Sequence, residues 1–496
     1  MTVKLDGDSL NADEVARVAE KGEKVTAASS SLRRMARFRA LLEERVRRGD
    51  AIYGVNTGFG SLSSKAIPAS STRRLQLNLI RSHAVGVGQP LSAEIVRAAM
   101  VIRLNGLLKG NSAARPELAS EIGGMLNRGV TPFVPSLGSL GASGDLVPSA
   151  HMALTMIGEG QAFHGGKLMA SGAALRRAKL KPVELAAKEG LSLINGTAFT
   201  TAFACFAVRR GDLLLRTANA SVSVAADALK ACTQSFDERL MRMRNATGQL
   251  RVAREISRML RGSRRVRSNP LPQDPYSVRC SPQVHGSVMD ALDFARKIVD
   301  GELNSVTDNP VFTDQGDTLH GGNFHAQQVA MALDLLSIAI AYLGVISLAR
   351  IHLLLSSSPS SRKFLSKEPG LQSGLMVSEY TASALVAENE KEVHPLSTFP
   401  ANVSAGIEDH ASYGVNAGLK TLKIVKNTAR ILAIELVCSS NYVRPFDGEL
   451  SPFNSKTCRL VRRVSPLLGN DRSLSGEVEQ LGQQIIEGMI VQSARE

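Results

Sequence analysis

Three long stretches without proline constrain the fold of this 496-residue chain more than any other feature. They run from Asn195 to Cys232, from about His325 to Leu355 and from about Glu408 to Cys438, and they are rich in Ala, Leu, Phe and Val. A helix that is apolar almost all round belongs in a core, and there is little β-branched alternation to favour strands. The sequence therefore predicts an all-α protein with a long central helical bundle and a mixed, loop-rich N-terminal portion.

The glycine-rich motifs are concentrated before the first of these stretches. We therefore expect two portions, a loop-rich N-terminal portion over residues 1–200 and a long-helix bundle with a C-terminal helical portion over residues 201–496. Residues 11–50 place charged and apolar side chains at helical spacing, which predicts amphipathic helices. Residues 71–109 also predict helix, with one break at Ser82–Gly88.

The composition limits the classes of partner. A formal net charge of +14 at pH 7 favours anionic substrates or nucleic acid. Aromatic residues make up only 4% and Trp is missing, so base-stacking surfaces are poorly supplied. The densest basic run, Arg261–Arg267, has no interleaved aromatic residues and is typical of a solvated surface loop. A nucleic-acid partner is therefore not expected.

Cysteine usage and the apolar tracts bear on the compartment. Five widely spaced cysteines, an odd number, fit neither a disulfide framework nor a cysteine-based metal site, so we expect the reducing cytoplasm. The apolar tract Leu335–Ala349 is short for a membrane span and predicts a buried helix. The first residues of the chain lack the apolar core of a signal peptide. We expect neither a membrane partner nor a metal.

The segment Gly138–Pro148 has two interpretations. In the first, it is a glycine-rich turn that leads into a helix capped by Asp145, with an anion bound at the helix N-terminus. In the second, it is the source of an electrophile. The Gly144 nitrogen attacks the Ala142 carbonyl carbon, and water is lost from the ring and from the Ser143 side chain, which leaves a methylidene group. Glycine suits the attacking position because it has no Cβ.

Other segments offer candidate site residues with plainer alternatives. Tyr53 opens a glycine-rich loop that ends at Gly60, so it either packs there or reaches a site over which the loop closes. Tyr276 and Arg279 lie between prolines that hold their segment out of a helix. Glu408 belongs to an acidic pair at the predicted start of a helix, where the helix dipole favours acidic residues.

Seven motifs follow one another along the chain. They are Tyr53-Gly-Val-Asn-Thr-Gly-Phe-Gly, Ser82-His83-Ala, Gly141-Ala-Ser-Gly-Asp, Asn195-Gly-Thr, Gln273-Asp-Pro-Tyr-Ser-Val-Arg, Asp308-Asn-Pro and Gly321-Gly-Asn-Phe-His. Each motif alone is weak, but the ordered set is specific. Its order and spacing resemble those of the aromatic amino acid ammonia-lyases, most closely the branch that acts on histidine. The resemblance covers roughly residues 5–490.

The resemblance implies a fold, a cofactor and a reaction. The fold would be a mostly helical homotetramer in which three chains build each active site. The cofactor would be a methylidene-imidazolone made from Ala142, Ser143 and Gly144, with no dissociable cofactor. The reaction would remove ammonia and a β-hydrogen from an amino acid without oxidation, and would convert L-histidine to trans-urocanate.

The resemblance also assigns roles to residues. Tyr53 would take the β-hydrogen, and Arg279 would hold the substrate carboxylate, for which a guanidinium fork is well shaped. Asn195 and Tyr276 would form hydrogen bonds around the imidazolone and the substrate and stabilise charge as it develops. Phe324 would line the pocket.

Substrate choice rests on a few positions. Ser82 and His83 match the histidine-specific pattern, and Glu408, which we also expect to be catalytic, stands where that branch has glutamate. Gly406 and Ile407 depart from the Asn-Gln that is usual there, which removes two polar side chains beside the pocket. The alternatives that stay open are a tyrosine or phenylalanine ammonia-lyase and a 2,3-aminomutase that adds the ammonia back.

Overall fold

The computed structural model describes residues 2–269 and 271–491, and helices dominate these residues. The helices are α1 Ala12–Lys21, α2 Ser29–Arg48, α3 Thr72–His83, α4 Ala93–Leu108, α5 Pro116–Asn127, α6 Leu146–Met156, α7 Ser171–Arg177, α8 Glu189–Ile194, α9 Ala198–Leu229, α10 Glu238–Arg242, α11 Thr247–Met259, α12 Tyr276–Arg279, α13 Ser281–Glu302, α14 Gln327–Ser356, α15 Met376–Glu392, α16 Gly414–Tyr442, α17 Pro452–Val464 and α18 Ser475–Ile486. The strands are β1 Thr2–Leu5, β2 Lys24–Ala27, β3 Val87–Pro90, β4 Val130–Pro132, β5 Pro135–Leu137, β6 Gln161–His164, β7 Lys167–Ala170, β8 Val311–Phe312 and β9 Thr318–Leu319.

The three proline-free stretches form the long helices α9, α14 and α16, and the protein is mostly helical. The nine short strands among the described residues depart from the predicted all-α class. Helix α14 contains the charge-free apolar tract Leu335–Ala349. It is long and apolar enough to span a membrane by length and composition, yet 72% of its most apolar window is buried inside the protein. Two charged residues of the helix are buried and paired: Arg350 Nε donates to Glu435 Oε1 at 2.6 Å, and Asp334 pairs with Lys420.

The described residues group into two compact units. The first contains residues up to 206 together with 296–333 and 395–419, and the second contains residues 207–295, 334–394 and the part from 420 onward. The division that we expected from the sequence, into an N-terminal portion of residues 1–200 and a helical portion of residues 201–496, stays a prediction.

Among the residues that the structure describes, all the strands lie in the first unit, where they form four small sheets. Strands β1 and β2 pair in parallel, whereas β3–β5, β4–β6–β7 and β8–β9 are antiparallel.

The predicted amphipathic helix near the N-terminus is present. The side chain of Asn11 accepts a hydrogen bond from Glu14 N at the start of α1, and Val15 and Val18 are buried. Helix α3 packs against both α6 and α8, and these three helices position most of the candidate site.

The second unit corrects two expectations. The segment around Tyr276 is not held out of a helix, because Pro275 precedes α12 and Pro282 lies in the first turn of α13, where a missing N–H breaks no helical bond. The basic run is not wholly solvated either. Arg265 is 6% exposed, donates from Nε to Asp227 O at 2.7 Å and lies over the Phe446 ring.

One face of α14 is apolar and exposed along the helix. The exposed side chains are Met331 (55%), Leu335 (37%), Ile338 (36%), Tyr342 (56%) and Val345 (45%). Successive members are four, three, four and three residues apart, which is the heptad spacing of a helix that packs along another helix. A row of exposed apolar side chains of this kind is typical of an interaction site.

Candidate active site

Ser143 lies at the centre of the candidate site, in the turn between β5 and α6. Two glycines beside it have positive φ angles, +81° for Gly141 and +76° for Gly144. A Cβ on Gly144 would lie only 2.4 Å from the carbonyl oxygen of Gly196. Only glycine fits this backbone conformation and this close approach.

Asn195 holds the carbonyl group of the same serine. It follows α8, and its Nδ2 donates to the carbonyl oxygen of Ser143 at 3.1 Å. The backbone carbonyl of Asn195 in turn accepts from Nη1 of buried Arg103 at 2.7 Å. Burial lowers the pKa of Arg103, and the charges of Asp308 and Asp145 oppose that effect. Sequence reasoning missed Arg103, although a single arginine within the apolar run Met100–Leu104 was a signal.

Asp145 does not cap its own helix, contrary to the expectation. Its side chain makes no capping bond to α6. Instead the carboxylate accepts from both N and Oγ1 of Thr200, each at 2.7 Å, in the first turn of α9. Its own N–H donates to the Gly196 carbonyl at 2.7 Å. Complete burial raises the pKa of Asp145 to about 6, against the lowering effect of the two Thr200 bonds.

Glu408 reaches the serine from a distant part of the sequence. Its Oε1 accepts from Ser143 Oγ at 2.7 Å. The expectation of a helix start at this acidic pair is wrong, because α16 begins only at Gly414 and Glu408 instead pairs through its backbone with Val403. The Glu408 carboxylate is therefore bound by the Ser143 hydroxyl and does not lie at a helix N-terminus.

Backbone hydrogen bonds join the segment after Glu408 to the glycine-rich turn. Tyr413 N donates to Leu140 O at 3.0 Å, and Ser412 N donates to Gly141 O at 3.2 Å. Residues 140–141 and 412–413 therefore brace each other directly beside the serine.

Tyr53 lies in its loop in the same unit, half-buried. Its hydroxyl oxygen accepts a hydrogen bond from Gly60 N at 3.0 Å, which folds the loop back on the ring. The ring makes edge contacts with Phe59 and His320, each with centroids 6.3 Å apart. The short 3₁₀ turn Gly60–Leu62 contacts the one at Ser404–Gly406, just before Glu408.

Ser82 and His83 end helix α3. The Ser82 hydroxyl donates to the Leu79 carbonyl at 3.1 Å, and His83 Nδ1 lies 2.8 Å from the same oxygen. A histidine Nδ1 bonded to a carbonyl must carry the proton, which leaves Nε2 of the neutral ring as an acceptor. The half-buried His83 thus has one nitrogen available to a ligand.

The remaining candidates are placed by other elements. Phe324 is half-buried in the turn before α14, and the next residue, His325, lies 3.2 Å from a ring nitrogen of His410. Tyr276 and Arg279 belong to α12 in the second unit, where the guanidinium lies 4.7 Å from the Tyr276 ring centroid. Tyr276 is 70% exposed. The pocket roles expected for these residues stay predictions, as do the roles of Tyr53 and His83.

The Asp308-Asn-Pro motif has a structural contact. Lys188, which immediately precedes α8, is completely buried and donates through Nζ to Asp308. Asn309 Oδ1 accepts from Gly321 N at 2.8 Å. This motif therefore joins the start of helix α8, which leads into Asn195, to the loop that carries Phe324.

Residues 142–144 suit the implied imidazolone. Glycine is the residue required at position 144 by its conformation, and Ala142 is buried at 7% exposure. The Ser143 carbonyl, which would remain as the ring carbonyl, already has a donor in Asn195. The buried Oδ1 of Asn195 has no hydrogen-bond partner among the described residues, so the amide keeps acceptor capacity for a further group.

The sequence was compared with those of known protein families. The family model described as aromatic amino acid lyase matches residues 10–463. The chain belongs to the aromatic amino acid lyase family.

Relatives of this aromatic amino acid lyase match it over nearly the whole chain. It is 42% identical to a histidine ammonia-lyase of Symbiobacterium thermophilum, over 98% of this chain and 97% of the relative. The solved histidine ammonia-lyase of Trypanosoma cruzi has a TM-score of 0.92 at 36% identity, covering 100% of this chain and 95% of that one. The solved tyrosine aminomutase of Streptomyces globisporus has a TM-score of 0.94 at 33% identity, covering 100% and 99%.

Proposed function

We propose that this aromatic amino acid lyase is a histidine ammonia-lyase, which eliminates ammonia from L-histidine to give trans-urocanate. The observation that carries the proposal is the position of Ser143, whose carbonyl contacts Asn195 and whose hydroxyl contacts Glu408. Sequence identity near 40% over almost the full length of curated histidine ammonia-lyases supports this substrate in preference to others.

The cofactor in this proposal is the methylidene-imidazolone made from residues 142–144, and it supplies an electrophilic carbon to the substrate amine. Asn195 Nδ2 holds the oxygen that would stay on the ring. A fixed donor at that oxygen stabilises negative charge there, in a site where Asn195 is 4% exposed and water competes little.

Tyr53 is the base in this proposal. The Tyr53 hydroxyl oxygen accepts the Gly60 N–H at 3.0 Å, which fixes the position of this oxygen in the loop. The turn that provides this N–H also contacts Ser404–Gly406. The position of the Tyr53 oxygen therefore depends on the segment that carries Glu408.

Substrate recognition divides between two ends of the amino acid. Arg279 would hold the carboxylate, since its buried Nε has no hydrogen-bond partner among the described residues. His83 Nε2 would accept from an N–H of the substrate imidazole, and Glu408 Oε2 would accept from the other ring nitrogen when the imidazole is protonated. Gly406 has no side chain and Ile407 has an apolar one, so neither adds a polar side chain next to Glu408.

The proposed assembly is a homotetramer in the cytoplasm, with each site built from three chains. Its support is the exposed heptad stripe of α14, which needs a partner helix to become buried. The exposure of Tyr276, an aromatic residue within a site motif, also fits completion of the site by another chain.

The proposal is tested with the purified protein and L-histidine, L-tyrosine and L-phenylalanine. We expect ultraviolet absorbance of an unsaturated acid with histidine, and an intact mass short by two water molecules. Because the fold also matches a tyrosine aminomutase, the products are analysed for β-amino acids as well. Preferential turnover of tyrosine, or a β-amino acid as the main product, would show that the assignment is wrong.

A further inference from the structure

Gln76 lies where three site-bearing elements of the first unit meet. It belongs to α3, the helix that ends with Ser82 and His83. Its side chain is completely buried, with a relative exposure of 0%. None of the seven motifs includes it.

The two ends of the Gln76 amide bind two different elements. Nε2 donates to the carbonyl oxygen of Gly54 at 3.0 Å, and Gly54 directly follows Tyr53. Oε1 accepts from Leu191 N at 3.3 Å, within the short helix α8 that leads into Asn195. The Gln76 amide therefore connects the loop that carries Tyr53, the proposed base, to helix α8, which leads into Asn195.

The packing around this amide leaves little freedom. A Cβ on Gly190 would lie 2.8 Å from the Gln76 carbonyl oxygen and 3.0 Å from Oε1, so α3 and α8 are in close contact. A Cβ on Gly54 would lie 2.7 Å from Leu191 Cδ2. The glycines bring the backbones together, and the amide fixes their distance and direction by two buried hydrogen bonds.

We infer that Gln76 is a positioning residue that sets the Tyr53 hydroxyl relative to Asn195 and thereby relative to the substrate β-carbon. A buried side chain needs both hydrogen bonds, because a buried carbonyl or N–H without a partner is costly. A shift of about 1 Å in a reacting group lowers a rate about a hundredfold. Loss of the amide should therefore act on the hydrogen-abstraction step. The inference rests on the proposed function, in which Tyr53 is the base.

The test compares Gln76→Met, which removes both hydrogen bonds at similar volume, with Gln76→Glu, which keeps the acceptor for Leu191 N and loses the amide donor. We expect kcat to fall ~10- to 100-fold with KM little changed. With L-histidine deuterated at Cβ, the isotope effect on kcat should rise, because abstraction of hydrogen becomes more rate-limiting. The intact mass should still be short by two water molecules.

Gln249→Met is the matched control. Gln249 is also buried in a helix, at 4% exposure, and its Nε2 contacts Met241 Sδ at 2.9 Å in the second unit. This control loses a buried amide contact but should keep the wild-type isotope effect. A wild-type isotope effect and kcat in both Gln76 variants would overturn the inference.

Hydrogen exchange of the full-length protein measures the same coupling without turnover. Gln76→Met should raise exchange in residues 54–60 and 191–195, whereas Gln76→Glu should raise it in 54–60 alone. Exchange in these segments equal to that of Gln249→Met would overturn the inference. If the wild type deaminates no amino acid, the proposed function fails by itself, and the exchange data still decide the positioning role.

Discussion

Replacing His83 with leucine should reduce the preference for histidine by an amount that follows from its hydrogen bonds. Nδ1 is held by the Leu79 carbonyl at 2.8 Å, so only Nε2 is left for a substrate nitrogen. The variant therefore removes one hydrogen bond and leaves the imidazole N–H of the substrate without a partner. Such a loss costs about 1–3 kcal/mol, which corresponds to roughly a 5- to 160-fold fall in kcat/KM for histidine.

The assay measures kcat/KM for histidine, tyrosine and phenylalanine in the wild type and in His83→Leu. Phenylalanine offers no N–H to this position, so its kcat/KM should not fall. His164→Leu is the control, because His164 is also half-buried and its Nδ1 lies 3.3 Å from the carbonyl oxygen of Gly129, outside the candidate site. An equal fall for histidine and phenylalanine, or a fall in the control, would refute the assignment of Nε2 to the substrate.

Three further perturbations test the site and its assembly. Gly144→Ala places a Cβ 2.4 Å from Gly196 O, so we expect no ring, an intact mass that keeps both waters and no activity; a mass short by two waters would contradict this. Burial raises the Asp145 pKa from 3.8 to about 6, so the stability linked to its protonated form is complete below about pH 4 and is lost as the pH rises through 6. The melting temperature of Asp145→Asn relative to wild type should therefore rise between pH 4 and pH 7, and a constant difference would count against this. Inactive Ser143→Ala and Arg279→Met chains should recover activity when they are co-expressed, whereas mixed tetramers without activity would argue against shared sites.

The long helices were predictable from the sequence because their signal is local. Uniformly apolar, proline-free stretches favour helix at every position, and α9, α14 and α16 follow them closely. The amphipathic helices α1 and α2 also follow from their spacing. The charged residues Asp334 and Arg350 lie within α14, and each is paired with an oppositely charged side chain.

The candidate site was less predictable because its contacts are distant in sequence. Local rules placed Asp145 on its own helix and Glu408 at a helix start, and both placements are wrong. The carboxylate of Asp145 caps the helix that begins at Ala198. The backbone of Glu408 pairs with Val403, and its side chain contacts a serine 265 residues away. The ordered set of motifs identified these residues in the sequence, whereas their contacts became visible only in the folded structure.

Under the proposed function, the bracing of the glycine-rich turn by residues 412–413 would set the time at which the imidazolone can form during synthesis of the chain. When residue 144 leaves the ribosome, Leu140 and Gly141 have none of the backbone partners that Tyr413 and Ser412 later provide. A ribosome adds about 5–20 residues per second, so those partners arrive roughly 13 to 54 seconds later. Until then the turn would lack these two backbone hydrogen bonds, and the proposed imidazolone would form only on a chain that is almost fully translated. Nascent and truncated chains would thus carry an unreactive serine in place of an electrophile.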